Sequence, residues 1–263
     1  MTYWILLLVS LAFSAVGFLM YIYFFSVGYG LAVAALGVTL AAAYFGKTGA
    51  ASLVLCALLV VYGLRLGLYF LYRDLKSKGY RKILAPERDR SKRMKLLPKF
   101  AIWFSCAVLY TLEISPVYFR LKNGVTADAA LYAGLAVAVF GLLLEAAADR
   151  QKSVLKKRDP SRFVSTGLYR IVRCPNYLGE LLFWLGVVIS GLTALKTPWQ
   201  WAAAITGYIL LIFIMFSGAR RLELRQEKNY GDDPAYRAYV GKTPILLPFV
   251  PLYSVKKWDF LVF

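Results

Sequence analysis

Three groups of residues in this chain have the types and the spacing to do chemistry. Tyr62, Arg65 and Tyr69 follow one another at i, i+3 and i+7, so they share one face of a helix. They fall inside an apolar stretch, where an arginine must face protein and find a partner. That partner is either a carboxylate such as Glu113, in a structural ion pair, or an anionic or carbonyl ligand. Glu145, Asp149, Lys152 and Lys156 stand at i, i+4, i+7 and i+11 and form a second stripe. A solvated helix face has the same pattern, except that Glu145 directly follows the apolar Leu142–Leu144, where an unpaired carboxylate is costly. The third group is Gly167 to Glu180, with Arg173-Cys174-Pro175-Asn176-Tyr177 at its centre. Pro175 suits the first turn of a helix, whose free backbone N–H groups can face an anion, and Asn176 and Glu180 stack one turn apart. The tail adds Arg220, Arg221, Glu223 and Arg225, then Tyr236, Arg237 and Tyr239, a run that reads as a solvated anchor after a last span.

The 263 residues include no histidine. This removes Ser-His-Asp triads, histidine-held zinc or haem, and imidazole general bases. Cys56, Cys106 and Cys174 lie far apart, and the first two sit in apolar runs where a thiol acts as a small hydrophobe, so no metal site is expected. Any reaction must rest on Tyr, Arg, Lys, Asp, Glu, Asn or Cys, or on a borrowed cofactor.

The elements that position these groups are transmembrane helices. An apolar share of 60% exceeds that of soluble domains, and the apolar residues run in long stretches. Windows near 3–25, 27–45, 50–72, 101–119, 131–148, 181–196 and 199–217 predict an all-α polytopic membrane protein of seven spans. The second and sixth are weakest: Gly28, Gly30 and Gly37 loosen one, and Lys196-Thr197-Pro198 closes a tight hairpin after the other. The first window reads as a retained span rather than a cleaved signal peptide.

Net charge is +18, and the cations are sorted. Segments 73–100, 149–180 and 218–263 carry 27 of the 32 Lys and Arg, whereas Lys47, Arg120, Lys122 and Lys196 face the other side. The positive-inside rule puts the N-terminus outside and the C-terminus in the cytoplasm. This charge reads as topology and attraction to anionic membrane lipid, not as nucleic-acid binding. None of the three cytoplasmic segments is long enough to fold alone, so residues 1–263 read as one integral-membrane domain. A site would lie at the cytoplasmic helix ends, open to a soluble charged cofactor from below and a lipid-soluble substrate from the side.

These same residues resemble the steroid 5α-reductases and their bacterial relatives, the DUF1295 proteins. The likeness rests on Tyr62, Arg65 and Tyr69, on Glu145-Ala-Ala-Ala-Asp-Arg-Gln-Lys152, and on Thr166 to Glu180 with its Pro-Asn-Tyr-x-Gly-Glu core. Ser217-Gly218, Leu222-Glu223 and Tyr236 to Pro248 extend it, over about residues 55–250. The resemblance implies NADPH-dependent reduction of a carbon–carbon double bond conjugated to a carbonyl, in a lipid-like substrate, at a bacterial inner membrane or the ER. It implies that Asp149, Arg173, Asn176 and Glu180 hold NADPH, within matched segments that also contain Glu145, Lys152 and Tyr177. Arg65, Arg81, Lys156, Arg162 and Arg220 or Arg221 would meet its phosphates or ribose, a task that suits the guanidinium fork. Tyr62 would polarise the substrate carbonyl.

Two departures from the family pattern stand out. Cys174 occupies a position where the family has histidine, and no carboxylate precedes Asp74 to match the early glutamate that steroid reductases pair with the tyrosine. Glu113, Ser26 or Tyr29 would have to supply that bond. Two other readings share the pattern: an S-adenosylmethionine-dependent membrane methyltransferase with a similar proline turn, and a non-catalytic lipid-binding relative. The charge sorting makes a first prediction: a reporter fused after Phe263 is cytoplasmic, and a tag before Met1 is labelled from outside. The reverse labelling would invert this orientation, and both termini on one side would require an even number of spans.

Overall fold

A computed structural model describes residues 1–261; they contain helices and no strand. The helices are α1 (Tyr3–Ser14), α2 (Val27–Tyr44), α3 (Ala50–Lys76), α4 (Lys78–Arg93) and α5 (Leu96–Glu113). There follow α6 (Ser115–Lys122), α7 (Ala129–Arg158), α8 (Pro175–Gly191), α9 (Pro198–Tyr230) and α10 (Pro234–Val240). Short 3₁₀ turns cover Ala15–Phe18, Tyr21–Phe25 and Gly167–Arg170. Five segments are long and apolar enough to cross a bilayer: Tyr21–Tyr44, α3, α5, α7 and α9. The chain is a helical, multi-pass membrane protein by that measure.

Two expected elements take a different form. The first apolar window is not one helix: α1 stops at Ser14, and two 3₁₀ turns follow. Gly17 lets the Phe24 ring lie directly on the backbone, where any Cβ would collide with it at 1.9 Å. The fourth window breaks after Glu113 because Pro116, in the first turn of α6, lacks the N–H that would continue the ladder. The basic segment 73–100 is largely helical, running from the end of α3 through α4 into the start of α5. Ser77 caps α4 by accepting the Tyr80 N–H at 3.2 Å, and the buried Asp74 receives Arg88 at 2.5 Å and the Tyr23 hydroxyl.

The chain divides into two compact units, Met1–Leu135 with Val187–Gly207, and Ala136–Gly186 with the residues from Tyr208 onward. In the first unit α2 and α3 meet backbone to backbone. A Cβ on Gly30 would lie 2.5 Å from the Gly63 carbonyl oxygen and the Gly67 nitrogen, and one on Gly63 would lie 2.4 Å from the Gly30 oxygen. The glycines expected to loosen α2 therefore do the opposite: Gly30 and Gly37 let it pack against α3, as small residues do between membrane helices.

Arg120, one of the four cations counted on the side opposite the basic segments, is fully buried, and every part of its guanidinium is used. Nε donates to the Ser190 oxygen at 2.5 Å and Nη1 to the Thr126 oxygen at 2.8 Å. Nη2 donates to Asp128 at 2.8 Å and to the Thr193 hydroxyl at 2.7 Å. Asn123 adds bonds to the Ala194 oxygen and to Gln200, so the α6–α7 link and the turn after α8 are tied by one polar clamp. Desolvation opposes the charged form of Asp128. Bonds from Thr193, the Leu131 N–H and Arg120, together with the Arg120 charge, outweigh it and bring the carboxyl down to about 2.

A depressed carboxyl stabilises the fold above its unfolded value of about 3.9, and the contribution fades as pH falls through about 2. Asp128→Asn should lower stability by about 1–3 kcal/mol, the usual worth of hydrogen bonds to charged groups, in thermal melts of the detergent-purified protein at neutral pH. The gap between wild type and variant should narrow as the buffer is taken from pH 5 towards pH 2.

Candidate functional site

In the second unit, two glycines bring the polar stripe of α7 against the start of α8. A Cβ on Gly141 would lie 2.3 Å from the Phe183 nitrogen, and one on Gly179 would lie 2.6 Å from the Glu145 nitrogen. The two helices therefore touch through their backbones at Gly141 and, one turn later, at Glu145 itself. Glu145 and Asp149, one turn apart on α7, are buried, as is Glu180 on α8. The spacing argument located these carboxylates; the glycine contacts that bring the helices together were not read from it.

The turn before α8 is pinned rather than open. The Arg173 N–H donates to the Pro244 oxygen at 2.9 Å and the Cys174 N–H to the Ile245 oxygen at 3.0 Å. Asn176 follows in the first turn, and its side-chain oxygen is buried without a hydrogen-bond partner. Tyr177 packs on Gly218, whose added Cβ would sit 3.3 Å from the ring, and the charges of Arg221, Glu180 and Arg225 reach its hydroxyl. This contact explains why Ser217-Gly218 belongs with the proline turn. Burial pushes the Cys174 thiol up to about 11, against the pull of Lys152 and Arg173. The residue in the histidine position is thus a buried thiol whose surroundings favour its neutral form.

The candidate cations divide into those the protein uses itself and those it leaves exposed. Lys156 spends its ammonium on the Pro160 oxygen at 3.0 Å, the Arg162 oxygen at 2.6 Å and the Tyr230 hydroxyl at 2.9 Å. Arg173 is buried against Glu223 at 3.0 Å and also donates to the Tyr253 oxygen. Glu223 in turn accepts the Val255 N–H at 2.9 Å, so this pair straps the C-terminal segment onto α9. Arg220 bonds the Lys256 oxygen at 3.2 Å and Asp259 at 2.5 Å. Lys152 is half-buried beside Cys174, while Arg162 and Arg221 are exposed. Arg225, one turn after Arg221 on α9, is also exposed and belongs with it. Its i+4 spacing from Arg221 was the available signal.

The first unit holds the other candidates. Tyr62 is fully buried, and its hydroxyl oxygen lies 3.4 Å from that of Tyr29. The Tyr29 ring packs on Tyr110 with centroids 4.8 Å apart, and the Tyr110 hydroxyl donates to the Phe24 oxygen at 2.5 Å. Tyr29 precedes Gly30 and Tyr62 precedes Gly63, so the glycine contact that joins α2 to α3 also brings the two phenols into reach. Ser26, the other neutral candidate, donates to the Ile22 oxygen at 3.0 Å. Arg65 is half-buried, 5.8 Å from the centroid of Tyr69. Glu113 is buried at the end of α5, and Arg81 is exposed on α4.

The glycine contacts can be tested directly. Gly179→Ala should cost about 1–3 kcal/mol of stability, as overpacking does, because its new methyl meets the backbone of α7. Gly218→Ala, at 3.3 Å from a ring edge, should cost less, and the order of the two melting temperatures checks the assignment.

Residues 24–243 match a family described as "Protein of unknown function (DUF1295)". Among characterised proteins, the chain is similar to the steroid 5-alpha-reductase DET2 of Gossypium hirsutum, with 32% identity over 121 residues, 45% of this chain and 42% of that one. It is likewise 32% identical to the steroid 5-alpha-reductase DET2 of Arabidopsis thaliana over 71 residues, 26% of this chain and 24% of that one. The matched stretches thus span less than half the length of these relatives. No solved structure matches the chain. With the family match covering most of its length and the reductase likeness beside it, the chain belongs to the DUF1295 family of steroid 5α-reductase-like proteins.

Proposed function

We propose that this protein is an NADPH-dependent membrane reductase that saturates a carbon–carbon double bond conjugated to a carbonyl in a lipid-like substrate. The observation that carries the reading is the first turn of α8. There Asn176 keeps a buried side-chain oxygen without a partner, next in the chain to Tyr177, whose hydroxyl feels the charges of Glu180, Arg221 and Arg225. This donor set fits a dinucleotide. An amide oxygen and the buried carboxylates Glu145, Asp149 and Glu180 suit ribose hydroxyls and a carboxamide, and exposed arginines suit phosphate. Lys156, Arg173 and Arg220 are engaged by the protein, so Arg162, Arg221 and Arg225 are the better phosphate ligands. When bound, NADPH supplies a hydride.

The part of this chain's own residues is electrostatic. Hydride addition to an enone leaves negative charge on the carbonyl oxygen, and Tyr62 donates a hydrogen bond to it from a dry setting. Tyr29 lies in hydrogen-bond reach of Tyr62 and supports it as a donor, so that the Tyr62 proton is directed at the substrate. Tyr110 backs the Tyr29 ring and is itself anchored to the Phe24 carbonyl. In the same reading, α1 with the Ala15–Phe18 turn and α8 join the five long segments as seven crossings, with the cofactor residues on the cytoplasmic side. The distribution of Lys and Arg supports that orientation.

Tyr62→Phe should keep NADPH affinity and lose turnover by about 10²–10³-fold, the usual effect of removing one such donor. Asn176→Ala and Arg221→Ala should instead weaken NADPH binding, read by nucleotide titration of the purified protein. A Tyr62→Phe enzyme with undiminished turnover, or an Asn176→Ala protein with an unchanged titration, would remove the corresponding residue from the mechanism.

A further inference from the structure

The C-terminal segment carries a feature that the proposed reaction does not use. Phe249 is 97% exposed and has a backbone φ of +66°, a left-handed conformation that a bulky L-residue rarely adopts. Its neighbours hold it there. The Leu252 N–H bonds the Val250 oxygen at 2.7 Å and the Ile245 N–H bonds the Leu252 oxygen at 2.9 Å, closing the loop across Pro248 and Pro251. The base of the loop is fixed to the segment before α8 through Pro244 and Ile245, and Arg173 grips the Tyr253 oxygen. The result is a braced tip with Phe249 and Val250 outside it, not a collapsed apolar loop.

Beside the tip lies a groove of about 330 Å³ with Arg170 and Lys242 on its walls. Both cations are exposed, and among the described residues that line the groove none is acidic. Ile171, also on the wall, is more than half exposed, and the apolar helix α8 begins four residues after it. Two cations over a rigid apolar wedge, next to the start of an apolar helix, match the two layers of a bilayer interface: anionic headgroups outside and acyl chains beneath. A soluble phosphate would use the arginine and the lysine but would leave Phe249 and Val250 in water.

We propose that this groove binds the headgroup of an anionic phospholipid, with Phe249 and Val250 inserted into the interface of the membrane that holds the chain. The site does not depend on the reductase reading. Because Cys56, Cys106 and Cys174 are all buried, a nitroxide can be placed selectively on Val250→Cys, keeping Phe249 intact. The labelled protein is put into nanodiscs of phosphatidylglycerol with phosphatidylcholine, or of phosphatidylcholine alone. Accessibility to oxygen and to a water-soluble nickel chelate is then measured by paramagnetic relaxation.

The expected result is a label reached by oxygen and shielded several-fold from nickel in the anionic discs. Nickel access should be restored in phosphatidylcholine alone, and also in anionic discs when Arg170→Glu and Lys242→Glu are combined. High nickel access in both lipids would overturn the proposal, leaving a water-exposed tip. Shielding that ignores both lipid charge and the charge-reversed variant would overturn it in favour of a protein cover or simple apolar insertion. Inorganic phosphate that produces the shielding in phosphatidylcholine discs would assign the groove to a free anion instead.

Discussion

Close contact between helix backbones is the constraint on which the candidate site depends. A polar side chain on a membrane helix reaches a partner on the next helix only if the axes come near, and apolar burial alone gives little drive for that between two lipid-facing helices. Here glycine supplies the approach in both units. Gly30 against Gly63 and Gly67 sets Tyr29 beside Tyr62, and Gly141 and Gly179 set the Glu145 turn of α7 on the first turns of α8. In each case the candidate side chain sits next to the contact, in sequence or across it. The missing Cβ atoms and the polar groups are parts of one arrangement.

Burying so many charged groups imposes a second constraint, since each must be neutralised or hydrogen-bonded. Arg120 and Arg173 meet it completely, the first with Asp128 and three further oxygen partners, the second with Glu223 and the Tyr253 oxygen. Both clamps join segments far apart in the chain, so their charges act as fold-specific staples. A cation committed in this way is poorly placed to follow a phosphate. Lys156, Arg173 and Arg220 are committed in this way, whereas Arg221 and Arg225 are exposed, although all are near one another in sequence or share a motif.

Helical periodicity made the faces legible: Tyr62 with Arg65, Glu145 with Asp149, and Asn176 with Glu180 could be grouped because 3.6 residues per turn holds whatever the tertiary structure. The first span was not legible as it stands, because hydropathy does not register the Gly17–Phe24 contact that accompanies its break into 3₁₀ turns. The burial of Arg120 was not legible for a related reason. Arg120-Leu-Lys-Asn-Gly looks like a polar outer loop, and its burial depends on Ser190 and Thr193, some 70 residues later. Charge counts locate a cation by its neighbours in the chain, whereas its burial is decided by partners that only the fold brings near.

The early part of the chain shows how a missing acid can be accommodated. A carboxylate next to Tyr62 would have to be desolvated in a fully buried place and held by a compensating charge. Tyr29 offers a hydroxyl at 3.4 Å without that requirement, and its ring packs against the tilted ring of Tyr110, which is itself held by its bond to the Phe24 oxygen. In the proposed reaction, a phenol pair would align the Tyr62 donor while bringing no negative charge to repel an oxyanion forming at the substrate.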